Sequence, residues 1–268
     1  MLAAATIGAT TAAPPASAHV SPAGLLDAFS RTVTQNLSQR GISDTVFDVP
    51  SYLWMMTHPR GSGTQNLPRE DQKTMCRTVV QIGDSTSVGL DNSVHLPSPT
   101  DRMTPQYQRV GVKNVYLNAL NFRSTVERYN GEPSGLDAIK TELSRHHDGC
   151  WIIALGANDA ARIATGSPVT ADQRIDNVMR HLIGRPVLWP TVMTTDTKPA
   201  TYAKSYMTAF NAALQRAAHR YPNLRVFDFA RYPDPSWYVD GVHYTVPGMI
   251  QRNRLFATAL ATEFPQRP

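Results

Sequence analysis

From residue 77 onward, short apolar runs alternate with stretches of helical periodicity, and this constrains the fold more than any other feature. Strand-like runs fall at 78–83, about 115–119, 151–156, 186–192 and 224–229. Helical patterns lie at about 135–146, 171–183, 201–219 and 246–263. Within 201–219, the spacing of Tyr202, Tyr206, Phe210 and Leu214 predicts one apolar helix face. Strands alternating with helices predict an α/β domain, a parallel sheet covered on both sides. No internal repeat or linker divides the region. Loops at 91–114 and 193–200 are expected to shape a substrate cleft.

Open α/β sheets bind their ligands at the carboxyl ends of the strands, so the residues there carry the functional information. The first run, Val79-Val80-Gln81-Ile82, breaks at Gly83-Asp84-Ser85, which puts a serine hydroxyl on a sharp turn. The third, Trp151 to Leu155, ends in Gly156-Ala157-Asn158-Asp159. Near the C-terminus, Asp240-Gly241-Val242-His243 precedes the last helical pattern. A serine hydroxyl is barely ionised at neutral pH and needs a base within hydrogen-bond reach. His243 is the candidate base, and Asp240 can orient its imidazole. Each element also has a plainer reading: an N-capping serine, an Asn-Asp turn opening a helix, a surface Asp-His pair.

Taken in order, the three blocks resemble the SGNH hydrolases, also called the GDSL esterase/lipase superfamily. The resemblance covers the layout of residues 77–262 and is specific at three short blocks. It implies a three-layer α/β/α flavodoxin-like parallel sheet, here with an N-terminal helical extension. It implies Ser85 as nucleophile, His243 and Asp240 as its partners, and the Asn158 side-chain amide as an oxyanion donor beside the Ser85 N–H. Asp159 takes a supporting role, and no metal or other cofactor is required. The chain departs from the pattern at the second block, where the family has a glycine whose N–H completes the oxyanion hole. The corresponding stretch, Leu117 to Ser124, has none; Asn121 is the best positional match and Phe122 the other. Any non-proline residue donates an N–H, so the departure touches the donor's geometry. Arg123 could meet an anionic part of a substrate or sit in an ordinary salt bridge.

In a flavodoxin-like order the strands following Cys76 and Cys150 are parallel neighbours, about 4.8 Å apart. A Cys76–Cys150 disulfide is therefore expected, with two buried thiols as the alternative. Residues 1–18 are rich in Ala and Thr and end in Ala16-Ser17-Ala18, which reads as a signal peptide or its remnant, although no basic n-region precedes it. A low-complexity tail is the other reading. Residues 19–75 read as an extension with one amphipathic helix at 22–40, and 76–268 as the hydrolase domain. The formal net charge of +5 is scattered, which argues against nucleic acid. No segment is long and apolar enough to span a bilayer. His146-His147 reads as a solvated helix end.

The resulting expectation is a monomeric, secreted or envelope-located serine esterase acting on short acyl esters, on envelope glycans or lipids. Two alternatives stand beside it. One is an O-acyltransferase moving the acyl group to an envelope glycan, as the resemblance to actinobacterial SGNH domains suggests; the other is an inactive glycan-binding module.

Overall fold

The computed structural model describes residues 71–195 and 200–267. The expected signal remnant and the amphipathic helix at 22–40 lie outside them. Five parallel strands, β1 (Thr78–Gly83), β2 (Asn114–Ala119), β3 (Cys150–Ala154), β4 (Val187–Pro190) and β5 (Leu224–Phe227), form one sheet in the order β2-β1-β3-β4-β5. Among the described residues, six α-helices surround it: α1 (Met103–Arg109), α2 (Gly135–Ser144), α3 (Ala157–Ala164), α4 (Ala171–His181), α5 (Lys204–Arg220) and α6 (Val246–Glu263).

The three-layer arrangement follows from the period-two alternation of the strands, buried on both faces. In β3, Cys150, Ile152 and Ala154 join one core with Met103 and Tyr107 of α1 and Phe256 and Leu260 of α6. Trp151 and Ile153 join the other, with Ile139 of α2, Ile175 and Val178 of α4, and Phe210 and Leu214 of α5. Cys76 and Cys150 are joined in a disulfide, with Cα atoms 5.7 Å apart, tying the approach to β1 to the start of β3.

Two stretches differ from the sequence reading. The 91–114 segment is not loop throughout: it holds α1, whose Met103 and Tyr107 are buried in the core. The overlooked signal is the apolar spacing of Met103, Tyr107 and Val110. Tyr202 lies ahead of α5 in a 3-10 turn, and Tyr206 is 41% exposed. The buried face of α5 is instead Met207, Phe210, Ala213, Leu214 and Ala217, because the helix starts only at Lys204.

Strand β1 lies between β2 and β3, so successive connections leave it in opposite directions. That is the switch point at which an open sheet leaves a crevice beyond its strand ends.

Candidate active site

Gly83 ends β1 with no room for a side chain, since a Cβ there would come within 2.4 Å of Ser87. The chain then turns through a 3-10 helix, Ser85–Ser87. Asp84 caps this turn, accepting from the Thr86 N–H at 2.9 Å and the Thr86 hydroxyl at 2.7 Å. Burial pushes the Asp84 carboxyl above its usual range, against the Thr86 hydrogen bonds and the Arg252 and His243 charges. From below, buried Arg252 donates through Nη2 to Ser87 Oγ at 2.9 Å. Its guanidinium carbon lies 4.2 Å from the centre of the Phe256 ring. Behind the turn is a cavity of about 30 Å³, lined by Asp84, Thr191, Tyr244 and Arg252 among others. That is room for about one water.

The loop before α6 faces this turn. His243 Nε2 lies 2.9 Å from Ser85 Oγ, and His243 Nδ1 lies 2.7 Å from Asp240 Oδ2. Asp240 Oδ1 also accepts the backbone N–H groups of Val242 and His243, at 2.9 and 2.7 Å. Partial burial raises the Asp240 carboxyl, but the hydrogen bonds from His243 and Val242 outweigh it and hold the pKa at about 2. At neutral pH Asp240 is therefore ionised and can only accept. A neutral imidazole then carries its proton on Nδ1, leaving the Nε2 lone pair free to accept from the Ser85 hydroxyl. The geometry is that of a base and its orienting carboxylate, supplied by four consecutive residues.

Asn158 stands in the first turn of α3, following Gly156, whose φ of 142° ends β3 abruptly. Its Nδ2 donates to the Arg123 carbonyl at 3.0 Å and approaches Asp84 Oδ2 at 3.4 Å. The Arg123 carbonyl can only accept, so the amide orientation is fixed. Its Oδ1 accepts from the Tyr202 hydroxyl at 2.6 Å. Burial pushes the Tyr202 pKa up, which keeps that hydroxyl protonated and able to donate. Among the described residues, the backbone N–H groups of Ser85, Asn121 and Phe122 have no acceptor. Three unclaimed donors and a positioned amide thus come from the ends of β1, β2 and β3.

The loop after β2 is firmly held. Arg123 donates through Nη1 to the Gly83 and Asn118 carbonyls, at 3.2 and 2.7 Å, and through Nε to Pro133 O at 3.2 Å. It is only 5% exposed, so the expected meeting with a substrate anion gives way to a structural role, as a staple between loop and sheet. Farther along, Asp159 Oδ1 accepts from Thr125 N at 2.9 Å, Thr125 Oγ1 at 2.5 Å and the fully buried Arg174 at 2.9 Å. Glu127 forms a two-pronged pair with the same Arg174. Asp159 thus has the supporting role expected of it, fastening the loop whose Arg123 carbonyl orients Asn158.

Asn121 is exposed in a turn, but the left-handed backbone that suits glycine falls on its neighbour, Phe122, with φ of 59°. Sequence reasoning missed Tyr202, Arg252, Arg174 and Glu127 as supports of the site. A tyrosine at the start of a helical pattern and an arginine within an apolar helix carry little signal by themselves. His147 Nδ1 donates to the Glu142 carboxylate at 2.7 Å, and its ring stacks on Tyr116. Among the described residues no group of three His, Cys, Asp or Glu side chains is placed to hold a metal ion.

A serine at the end of β1, a histidine and an aspartate on one late loop and an asparagine after β3 are the arrangement that an SGNH hydrolase is expected to have. The GDSL-like Lipase/Acylhydrolase family matches residues 82–249, and the chain belongs to that family. The fold is shared with a carbohydrate acetylesterase family member from Sinorhizobium meliloti, at 19% identity and a TM-score of 0.55, over 70% of this chain and 99% of that one. It is shared too with a putative arylesterase from Agrobacterium tumefaciens str. C58, at 21% identity and TM-score 0.56, over 69% and 99% of the two chains. The aryl esterase of M. smegmatis aligns at 20% identity and TM-score 0.54, over 70% and 98%. No curated protein matches the sequence.

Proposed function

We propose that the protein is an exported serine esterase that hydrolyses short acyl esters through an acyl-enzyme on Ser85. The observation that carries this reading is the hydrogen-bonded chain from Ser85 through His243 to Asp240, at 2.9 and 2.7 Å. His243 Nε2 takes the hydroxyl proton as Ser85 Oγ attacks the ester carbonyl, and Asp240 stabilises the imidazolium formed. The developing oxyanion is met by the N–H groups of Ser85 and the 121–122 turn and by Asn158, whose 3.4 Å contact to Asp84 is weak enough to exchange. The imidazolium returns its proton to the leaving alcohol, the acyl group stays on Oγ, and water activated by His243 releases the acid.

The small size of the cavity beside the nucleophile supports a short acyl group, and the Cys76–Cys150 bridge supports an extracytoplasmic, oxidising location. The assay is hydrolysis of p-nitrophenyl acetate by the purified protein, with and without a glycan acceptor. Hydrolysis that is independent of the acceptor is expected. Transfer that requires the acceptor would make the protein an O-acyltransferase, and inertness under both conditions would leave a glycan-binding module.

A further inference from the structure

We propose that the ring of Phe122 is a stacking platform for the sugar of an acylated glycoside, placed beside the oxyanion hole. The inference rests on the esterase reading and assigns the alcohol side of its substrate. Phe122 is 54% exposed, although the three residues that follow it are buried. It is also in the left-handed region, where a bulky residue is a genuine outlier and the conformation has to be imposed by the surroundings.

The surroundings do impose it. The next three residues, Arg123, Ser124 and Thr125, are buried, with Arg123 stapled to the strand ends and Thr125 bonded to Asp159. The ring is propped by Tyr129, with centroids 4.8 Å apart and planes inclined by 32°. Tyr129 is in turn covered by the Arg162 guanidinium, 5.3 Å from its centre. An aromatic face backed in this way loses less entropy on binding than an unsupported one, which suits a flat partner.

Its position says which part of the substrate it meets. Phe122 directly precedes the residue whose carbonyl holds Asn158, and Leu120 N bonds to Gly83 O two residues from Ser85. A group stacked there is attached to the carbonyl poised over Ser85. The C–H face of a pyranose matches an open aromatic ring, and its hydroxyls stay in water beside Arg162. A long acyl chain would instead need an enclosed apolar channel.

The test compares three acetates differing only in the alcohol: ethyl acetate, phenyl acetate and methyl 6-O-acetyl-glucopyranoside. Phe122→Leu keeps an apolar side chain and removes the flat ring. It should lower kcat/KM for the sugar ester at least about tenfold more than for ethyl acetate, chiefly through KM. Phe122→Tyr should restore the sugar preference. Equal losses on all three acetates would reduce the ring to a structural part of the loop, and a selective loss on phenyl acetate alone would assign it to aryl esters; both overturn the proposal. Wild-type hydrolysis of ethyl acetate that vanishes in Ser85→Ala upholds the esterase reading whatever Phe122→Leu does. A wild type inert on all three overturns that reading and the platform with it.

Discussion

Asn158 offers the most demanding test of the site, because its partners dictate how each substitution should fail. One amide hydrogen is committed to the Arg123 carbonyl at 3.0 Å, and the other faces Asp84 at 3.4 Å, where a substrate oxyanion can take it. Asn158→Ala removes one oxyanion donor and should cost about 3 kcal/mol of transition-state stabilisation, roughly a hundredfold or more in kcat. The Michaelis constant should change little, since the ground-state carbonyl carries little negative charge. Asn158→Asp is nearly isosteric but sets a carboxylate against two acceptors, and should be worse than alanine. Tyr202→Phe leaves the amide in place and strands its buried Oδ1 without a donor, which should cost about 1–2 kcal/mol of stability and, by loosening the amide, lower kcat less than removing it does. Steady-state kinetics on p-nitrophenyl acetate would order the losses Tyr202→Phe, then Asn158→Ala, then Asn158→Asp. An Asn158→Ala enzyme within threefold of wild type, or losses confined to the Michaelis constant, would refute the oxyanion role.

Three further outcomes are expected. Ser85→Ala should abolish labelling by a fluorophosphonate and lower kcat by roughly four orders of magnitude or more, with His243→Ala comparable and Asp240→Ala milder; labelling that survives Ser85→Ala excludes Ser85 as nucleophile. Replacing Cys76 and Cys150 by serine reopens a 74-residue separation and should cost up to about 4 kcal/mol in urea unfolding, and a negligible change would show the bridge to be dispensable. Desolvation raises the Glu127 carboxyl, but the Arg174, Ser167 and Ser124 hydrogen bonds hold it down at about 2 from an ordinary 4.5. Its contribution to stability is therefore complete above about pH 4.5 and is lost as pH falls toward 2. Glu127→Gln should lower Tm at pH 7 and flatten its fall between pH 4.5 and 2; an unchanged acid slope would remove Glu127 from the loop clamp. The flattening will be partial, because Asp137 and Asp240, also held at about 2, titrate in the same window.

The parts of this site that were legible in the sequence are those where the chemistry is local. Ser85 follows an apolar run, and Asp240 and His243 are three residues apart, so a strand end and a short loop suffice to suggest them. The parallel sheet was legible too, because burial on both faces writes itself into unbroken apolar runs such as Cys150 to Ala154. What could not be read is what depends on the approach of distant chain. Tyr202 reaches Asn158 across 44 residues and Arg174 reaches Glu127 across 47, and no local pattern encodes either contact. The misassigned Arg123 shows the converse. A lone arginine beside a site suggests an anion partner, yet its guanidinium is spent on the backbone carbonyls of Gly83, Asn118 and Pro133. Helix α1 was missed because it has only seven residues, too few for a periodic signal to stand out from a loop.

The missing glycine of the second block acquires a physical meaning once φ is assigned to the right residue. Glycine enters the left-handed region without cost, whereas a phenylalanine there costs about 1–2 kcal/mol. Phe122 nonetheless has φ of 59°, and neighbours on either side are fixed by Leu120 N to Gly83 O and by the Arg123 staple. The loop is thus over-determined, and the strain is offset by bonds that do not involve Phe122. Its N–H, like that of Asn121, is left without an acceptor, so the change from glycine keeps the donors that the proposed oxyanion hole requires. What glycine could not supply is the ring. A residue that costs stability, leaves the local hydrogen bonding unaltered and exposes half of an aromatic side chain at the edge of the site is best accounted for by what that side chain touches outside the protein.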